Sequence, residues 1–125
     1  MSSPVRILTL LVGAFFALQG GNWLLNPTGA AQGLGMPLLD GLGRSTQVGD
    51  FAAFFLAIGA TTLLGARPGH AKLLRVPAGM LGAAAVARCV AFAAHGAGFA
   101  AVFIAVEVAA AGFLAFASTR QSAAR

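Results

Sequence analysis

STQVGDFAAFFLAIGATTLLGA, residues 45–66, is an apolar run of 22 residues with one charge in it, Asp50. About 20 apolar residues are enough for a helix to cross the hydrocarbon core of a bilayer. Gly49, Ala53 and Ala57 fall four apart along it, and small residues at that spacing let a neighbouring helix backbone approach closely. Ser45 or Thr46 supplies the N-cap that such a helix needs. A membrane span with an acid in it is therefore the first expectation, and the rest of the chain is read against it.

Three further runs match it. Residues 5–25 are apolar and stop at Asn26-Pro27, a natural helix end. Trp23 near that end suits an interfacial aromatic belt, and Gly13, Ala17 and Gly21 repeat the small-residue spacing. Residues 73–95 follow, with Pro77 tolerable in the first turn, and then residues 99–119. The first run continues past a signal-peptide core and lacks a small-x-small cleavage site, so it reads as a retained helix. Residues 26–44, NPTGAAQGLGMPLLDGLGR, form the one substantial loop. Their glycines and two prolines argue against a long regular helix, and their leucines suit either an interfacial connector or a lid over the bundle mouth. The tail at 120–125 is polar and expected to fray.

Composition supports this reading. Hydrophobic residues make up 58% of the 125 positions and charged residues 9%, against about 25% charged in an ordinary soluble domain. Mean hydropathy is +0.86. So little polar surface cannot cover a soluble core. The formal charge of +5 does not indicate nucleic acid, because the basic residues are scattered near segment ends without interleaved aromatics. Cys89 is the single cysteine, so no disulfide closes within the chain. The expected fold is all-α, a single domain 1–125 forming a four-span, up-down transmembrane bundle.

Basic residues orient it. With four spans, both termini and the 67–75 turn share one side, which holds Arg6, Arg67, Lys72, Arg75, Arg120 and Arg125; the other side holds Arg44 alone. By the positive-inside rule both termini are cytoplasmic. Position along each span then becomes depth at 1.5 Å per residue: Asp50, Arg88 and Glu107 lie about 8, 10 and 12 Å below the outer ends of their segments. Gln19 and Asn22 share a face in the outer half of the first span, Gln47 sits at i−3 from Asp50, and His95 lies at i+7 from Arg88. The strongly polar groups thus collect in the outer half, which predicts a polar cavity there above a dry lower half.

Intramembrane charges are costly and usually mark sites or pathways. Arg88 is expected to bridge Asp50 and Glu107, its planar fork matching both carboxylates. Such a unit could be a register device alone or the lining of a pocket. Two histidines on opposite sides and one cysteine make no zinc site. No glycine-rich phosphate loop or nucleophile triad is present, and no cofactor is implied.

The stretch GDFAAFFLAIG, residues 49–59, with Arg88 in the third span and Glu107 in the fourth, resembles a group of small uncharacterised four-helix bacterial inner-membrane proteins. In that group an acid opens the second helix and a glycine closes its middle. The chain departs from it at residues 51–53, Phe-Ala-Ala, where the group often carries another arginine. The resemblance implies a four-helix bundle in the bacterial cytoplasmic membrane. Small multidrug exporters also have four spans, but their essential glutamate is in the first helix, where this chain has no acid.

Three functions are expected from these readings. The first is a pocket for a small lipophilic molecule entering from the outer leaflet. In its sharper form the pocket does acid–base chemistry such as isomerisation, cyclisation or epoxide opening. Glu107 is then the proton donor, Asp50 the base or water-orienting group, Arg88 the bridge and Asn22 a positioning group, with Gln19, Gln47 and His95 lining the pocket. The second is proton-coupled transport by a dimer, with Glu107 as the coupling acid. The third is a structural subunit of a larger membrane complex.

Overall fold

The computed structural model describes residues 1–123, and it is helical from near one end to the other. Helix α1 spans Ser3–Leu25, with Pro4 in its first turn, and gives way at Asn26. The Asn26 side-chain oxygen accepts from the Gly29 N–H at 3.3 Å and caps a short helix, α2, Pro27–Gly33, that has Pro27 at its first position. This start is favoured because proline has no N–H to leave unpaired there. The loop therefore contains one short helix of 7 residues, about two turns, as its prolines and glycines allow, and no long helix.

Helix α3 runs Gly41–Gly65, four residues earlier than its expected start at 45. Gly41 and Gly43 argued for a loop, but Arg44 stabilises the added turn. Its Nε donates to the Leu39 carbonyl at 2.8 Å, and its Nη2 to Asp40 Oδ1 at 3.0 Å. The N-cap is accordingly Asp40, not Ser45 or Thr46. A 3-10 turn, Ala71–Leu74, leads into α4, Arg75–Ala94, with Pro77 buried in the first turn. Gly96, at φ +67°, makes the turn that leads to α5, Ala101–Ala123. The part of the tail at 120–123 that was expected to fray continues this helix, and positions 124–125 lie outside the described residues. Four of these helices are long and apolar enough to cross a membrane: Ser3–Leu25, Gly41–Gly65, Ala71–Ala94 with its 3-10 turn, and Ala101–Arg120. Leu18, Leu25, Val86 and Val102 are among the large apolar side chains left on their surfaces.

The helices associate as two pairs, α1 along α3 and α4 along α5. The α1–α3 seam is made of small residues at close range. A Cβ on Gly59 would lie 2.5 Å from the Ala17 nitrogen, and one on Gly20 would lie 2.9 Å from the Leu56 nitrogen. Gly13 meets Leu63 in the same seam. The expected stripes are thus partly displaced. Gly21 has nothing within 4 Å of its would-be Cβ, as has Gly49, and Ala53 and Ala57 are exposed.

The pairs are joined at the 3-10 turn, where Leu74 is fully buried and packs against Gly65. One apolar core gathers Phe16, Ile58, Leu74, Leu81, Leu114 and Ala117. A second lies at the loop end of α1 and α3. There Trp23 stacks on Phe51 with centroids 4.9 Å apart, and Ala30, Ala31 and Ala52 are buried around them. Leu34, Met36 and Leu38 of the loop pack onto this cluster, so the loop folds back over the α1–α3 pair. Among the described residues, none from 86 to 109 belongs to either cluster. The α4–α5 hairpin end stands apart from both cores.

Candidate functional site

That hairpin end carries the buried charge pair. Arg88 sits on α4 and Glu107 on α5, and the Arg88 Nε donates to Glu107 Oε1. The Glu107 side chain is 11% exposed and that of Arg88 33%, so the acid is the enclosed member and the guanidinium the reachable one. Phe103, one turn before Glu107, lies beneath Arg88, with the guanidinium carbon 4.8 Å from the ring centroid. A cation at that distance is held by the ring quadrupole as well as by the carboxylate. One turn towards the hairpin tip, Phe92 and Phe99 meet with centroids 5.3 Å apart.

The spacing explains the assembly. Arg88 and Phe92 are four apart on α4, and Phe103 and Glu107 are four apart on α5, so each pair lies along one helix face; Phe99 comes from the turn just before α5. Phe103 was not among the expected site residues. Its i−4 relation to Glu107 was the available signal, hidden because phenylalanine on a membrane helix is ordinarily lipid-facing or core.

The other expected residues are placed differently. Asp50 is exposed on α3 and, among the described residues, has no ion-pair or hydrogen-bond partner. The anticipated bridge from Arg88 to both acids is therefore formed on the Glu107 side alone within one chain. The reason is packing: α3 turns its close face to α1, and α4 turns its own to α5. Gln47 is buried, but its amide serves the loop. Its Oε1 accepts from the Leu39 N–H at 2.7 Å, and its Nε2 donates to the Pro37 carbonyl at 3.1 Å and contacts the Met36 sulfur at 3.3 Å. This occupation leaves the amide as a clamp on the loop and takes it out of the expected pocket lining. Gln19 and Asn22 are partly buried on α1, and His95 is exposed at the end of α4. Their side chains have no hydrogen-bond partner among the described residues.

At the far end of the helices from the pair, Met1, Ser2, Val5, Phe116 and Arg120 line an open surface cavity of about 540 Å³. Thr62, fully buried on α3, has a hydroxyl without a hydrogen-bond partner among the described residues. No three His, Cys, Asp or Glu side chains among the described residues are grouped to hold a metal ion. What the Arg88 cluster offers is a planar cation with Nη donors to spare, an enclosed carboxylate behind it, and aromatic faces beside it.

No protein-family model, curated protein or solved structure matches the chain.

Proposed function

We propose that the chain is a small integral membrane protein that binds a lipophilic molecule at the Arg88–Glu107 pair. The observation that carries this reading is the asymmetry of the pair. Glu107 is enclosed and held, whereas the Arg88 guanidinium is one-third exposed over Phe103, at a hairpin end that contributes to neither apolar core. An arginine in hydrocarbon surroundings with unused planar donors is suited to a carbonyl, carboxylate or phosphate oxygen on an otherwise apolar molecule. Phe92, Phe99 and Phe103 supply faces for its apolar body.

The proposed membrane setting places this site in the outer half of an up-down bundle. Residues 13, 17 and 20 of α1 meet 63, 59 and 56 of α3 in that order, which supports opposite directions for the two helices. Arg6, Arg67, Lys72, Arg75 and Arg120 fall at the helix ends around the 3-10 turn and the termini; they would face the cytoplasm of a bacterial cell. The ligand would then enter from the outer leaflet. In the enzymatic form of this proposal, Glu107 passes a proton to the bound molecule and Arg88 steadies the carboxylate left behind; Asp50, exposed on α3, is not at the pair within one chain.

The test compares compounds that co-purify with wild-type protein and with an Arg88→Met/Glu107→Leu double variant. Removing both charges together leaves neither one orphaned, so the bundle should stay folded. A small lipophilic molecule retained by wild type and lost from the folded double variant is the expected result. Equal retention, or none in either, would contradict the proposal.

A further inference from the structure

Asp50 is an acid with nothing in its own chain to hold it. It lies about 13 Å along α3 from Gly41 at 1.5 Å per residue, well beyond the polar first turns, and it is exposed. Ala53 and Ala57, three and seven residues further on, are exposed on the same side of the helix. A carboxylate in that position is unfavourable in a membrane unless a cation or a set of hydrogen-bond donors reaches it. The face around it is small enough for another helix to come close.

The complementary group is Arg88. Its Nε is taken by Glu107, its Nη donors have no protein acceptor among the described residues, and a third of its side chain is open. It lies about 9 Å from the Ala94 end of α4, a depth close to that of Asp50 in the proposed topology. We propose that a second copy of this chain covers the Asp50 face of α3, so that Asp50 of each copy reaches the partner's Arg88. Charge complementarity selects the occupant: the missing cation for Asp50 and the missing acceptor for Arg88 are both already in the sequence. A two-fold interface makes the two pairs at once. This inference rests on the site proposed above and completes it. Each guanidinium is then flanked by Glu107 from its own chain and Asp50 from the other, and the second carboxylate of the site arrives only on dimerisation.

The experiment uses the full chain in mild detergent and in nanodiscs. Wild type should be a dimer by native mass spectrometry, and Asp50→Asn should weaken it about tenfold, as expected for losing two intramembrane polar pairs. Ala53→Trp on the same face should abolish the dimer, whereas Leu18→Trp on the exposed side of α1 should leave it unchanged, with circular dichroism confirming the helices of each variant. In a Cys89→Ala background, Asp50→Cys on one tagged copy and Arg88→Cys on a differently tagged copy should form a disulfide between the two tags. A wild-type monomer at every concentration, a dimer indifferent to both Asp50→Asn and Ala53→Trp, or the absence of any disulfide between the two tags would overturn the proposal. A lipophilic molecule held by monomeric wild type would contradict the shared site alone. A dimer sensitive to Asp50 that holds no such molecule would contradict the ligand reading alone.

Discussion

At position 107 a carboxylate is enclosed on a helix whose residues through Ala117 are otherwise apolar or small. Arg88 is what makes that burial tolerable, and Phe103 holds the guanidinium from its other side. Breaking such a pair on one side is worse than removing it, because an uncompensated charge stays behind. Arg88→Met is therefore expected to lower stability by about 2 kcal/mol, reduced from the fully buried case by the partial exposure of Arg88. The Arg88→Met/Glu107→Leu double variant should recover most of it, and thermal unfolding in detergent measures both. This pair was legible in the sequence because two opposite charges at one depth on adjacent spans have few alternatives. The place of Asp50 was not: position along a span gives height, but it does not give the direction in which a side chain points.

Among the elements, the α1–α3 seam depends on backbone approach at Gly59 and Gly20. In a bilayer, lipid tails are as apolar as leucine, so close packing rather than exclusion from water holds helices together. Gly59→Ala places a methyl 2.5 Å from the Ala17 backbone nitrogen and should cost about 1–3 kcal/mol as overpacking. Gly21→Ala meets nothing within 4 Å and should be neutral or slightly stabilising; unfolding in sodium dodecyl sulfate compares the two. The four-residue spacing indicated that a small-residue seam exists but chose Gly21 over Gly20 and the open side of α3. A chain this rich in glycine and alanine has small residues on several faces, so spacing alone cannot select among them. The start of α3 was misjudged for a related reason. The glycines at 41 and 43 argue locally for a loop, and the interactions from Arg44 that favour the helix depend on the fold of residues 39–40. Gln47 likewise looked like a membrane polar group near Asp50, and only the folded loop gives its amide three partners.

The four spanning lengths, the helix stop at Asn26-Pro27 and the helical class of the whole molecule were legible because they depend on composition and length. How the spans pair was not, since every one of them is apolar on all sides. The proposed orientation makes a direct prediction. With Cys89→Ala as background, a cysteine at Lys72 should react with a membrane-impermeant maleimide only after the cells are opened, whereas one at His95 should react in intact spheroplasts. The reverse pattern would place the pair in the cytoplasmic half and remove the entry from the outer leaflet.

The central claim is that Arg88, held by Glu107 and Phe103, receives a molecule that is not part of the protein. A structure of the wild-type chain crystallised from a lipidic phase tests it most directly. The account predicts density for an apolar molecule with an oxygen within hydrogen-bonding distance of an Arg88 Nη and its body against Phe92, Phe99 or Phe103. Density showing the Arg88 Nη groups satisfied entirely by protein side chains, whether of the same chain or of Asp50 from a second copy, with only disordered lipid tails beyond, would contradict it.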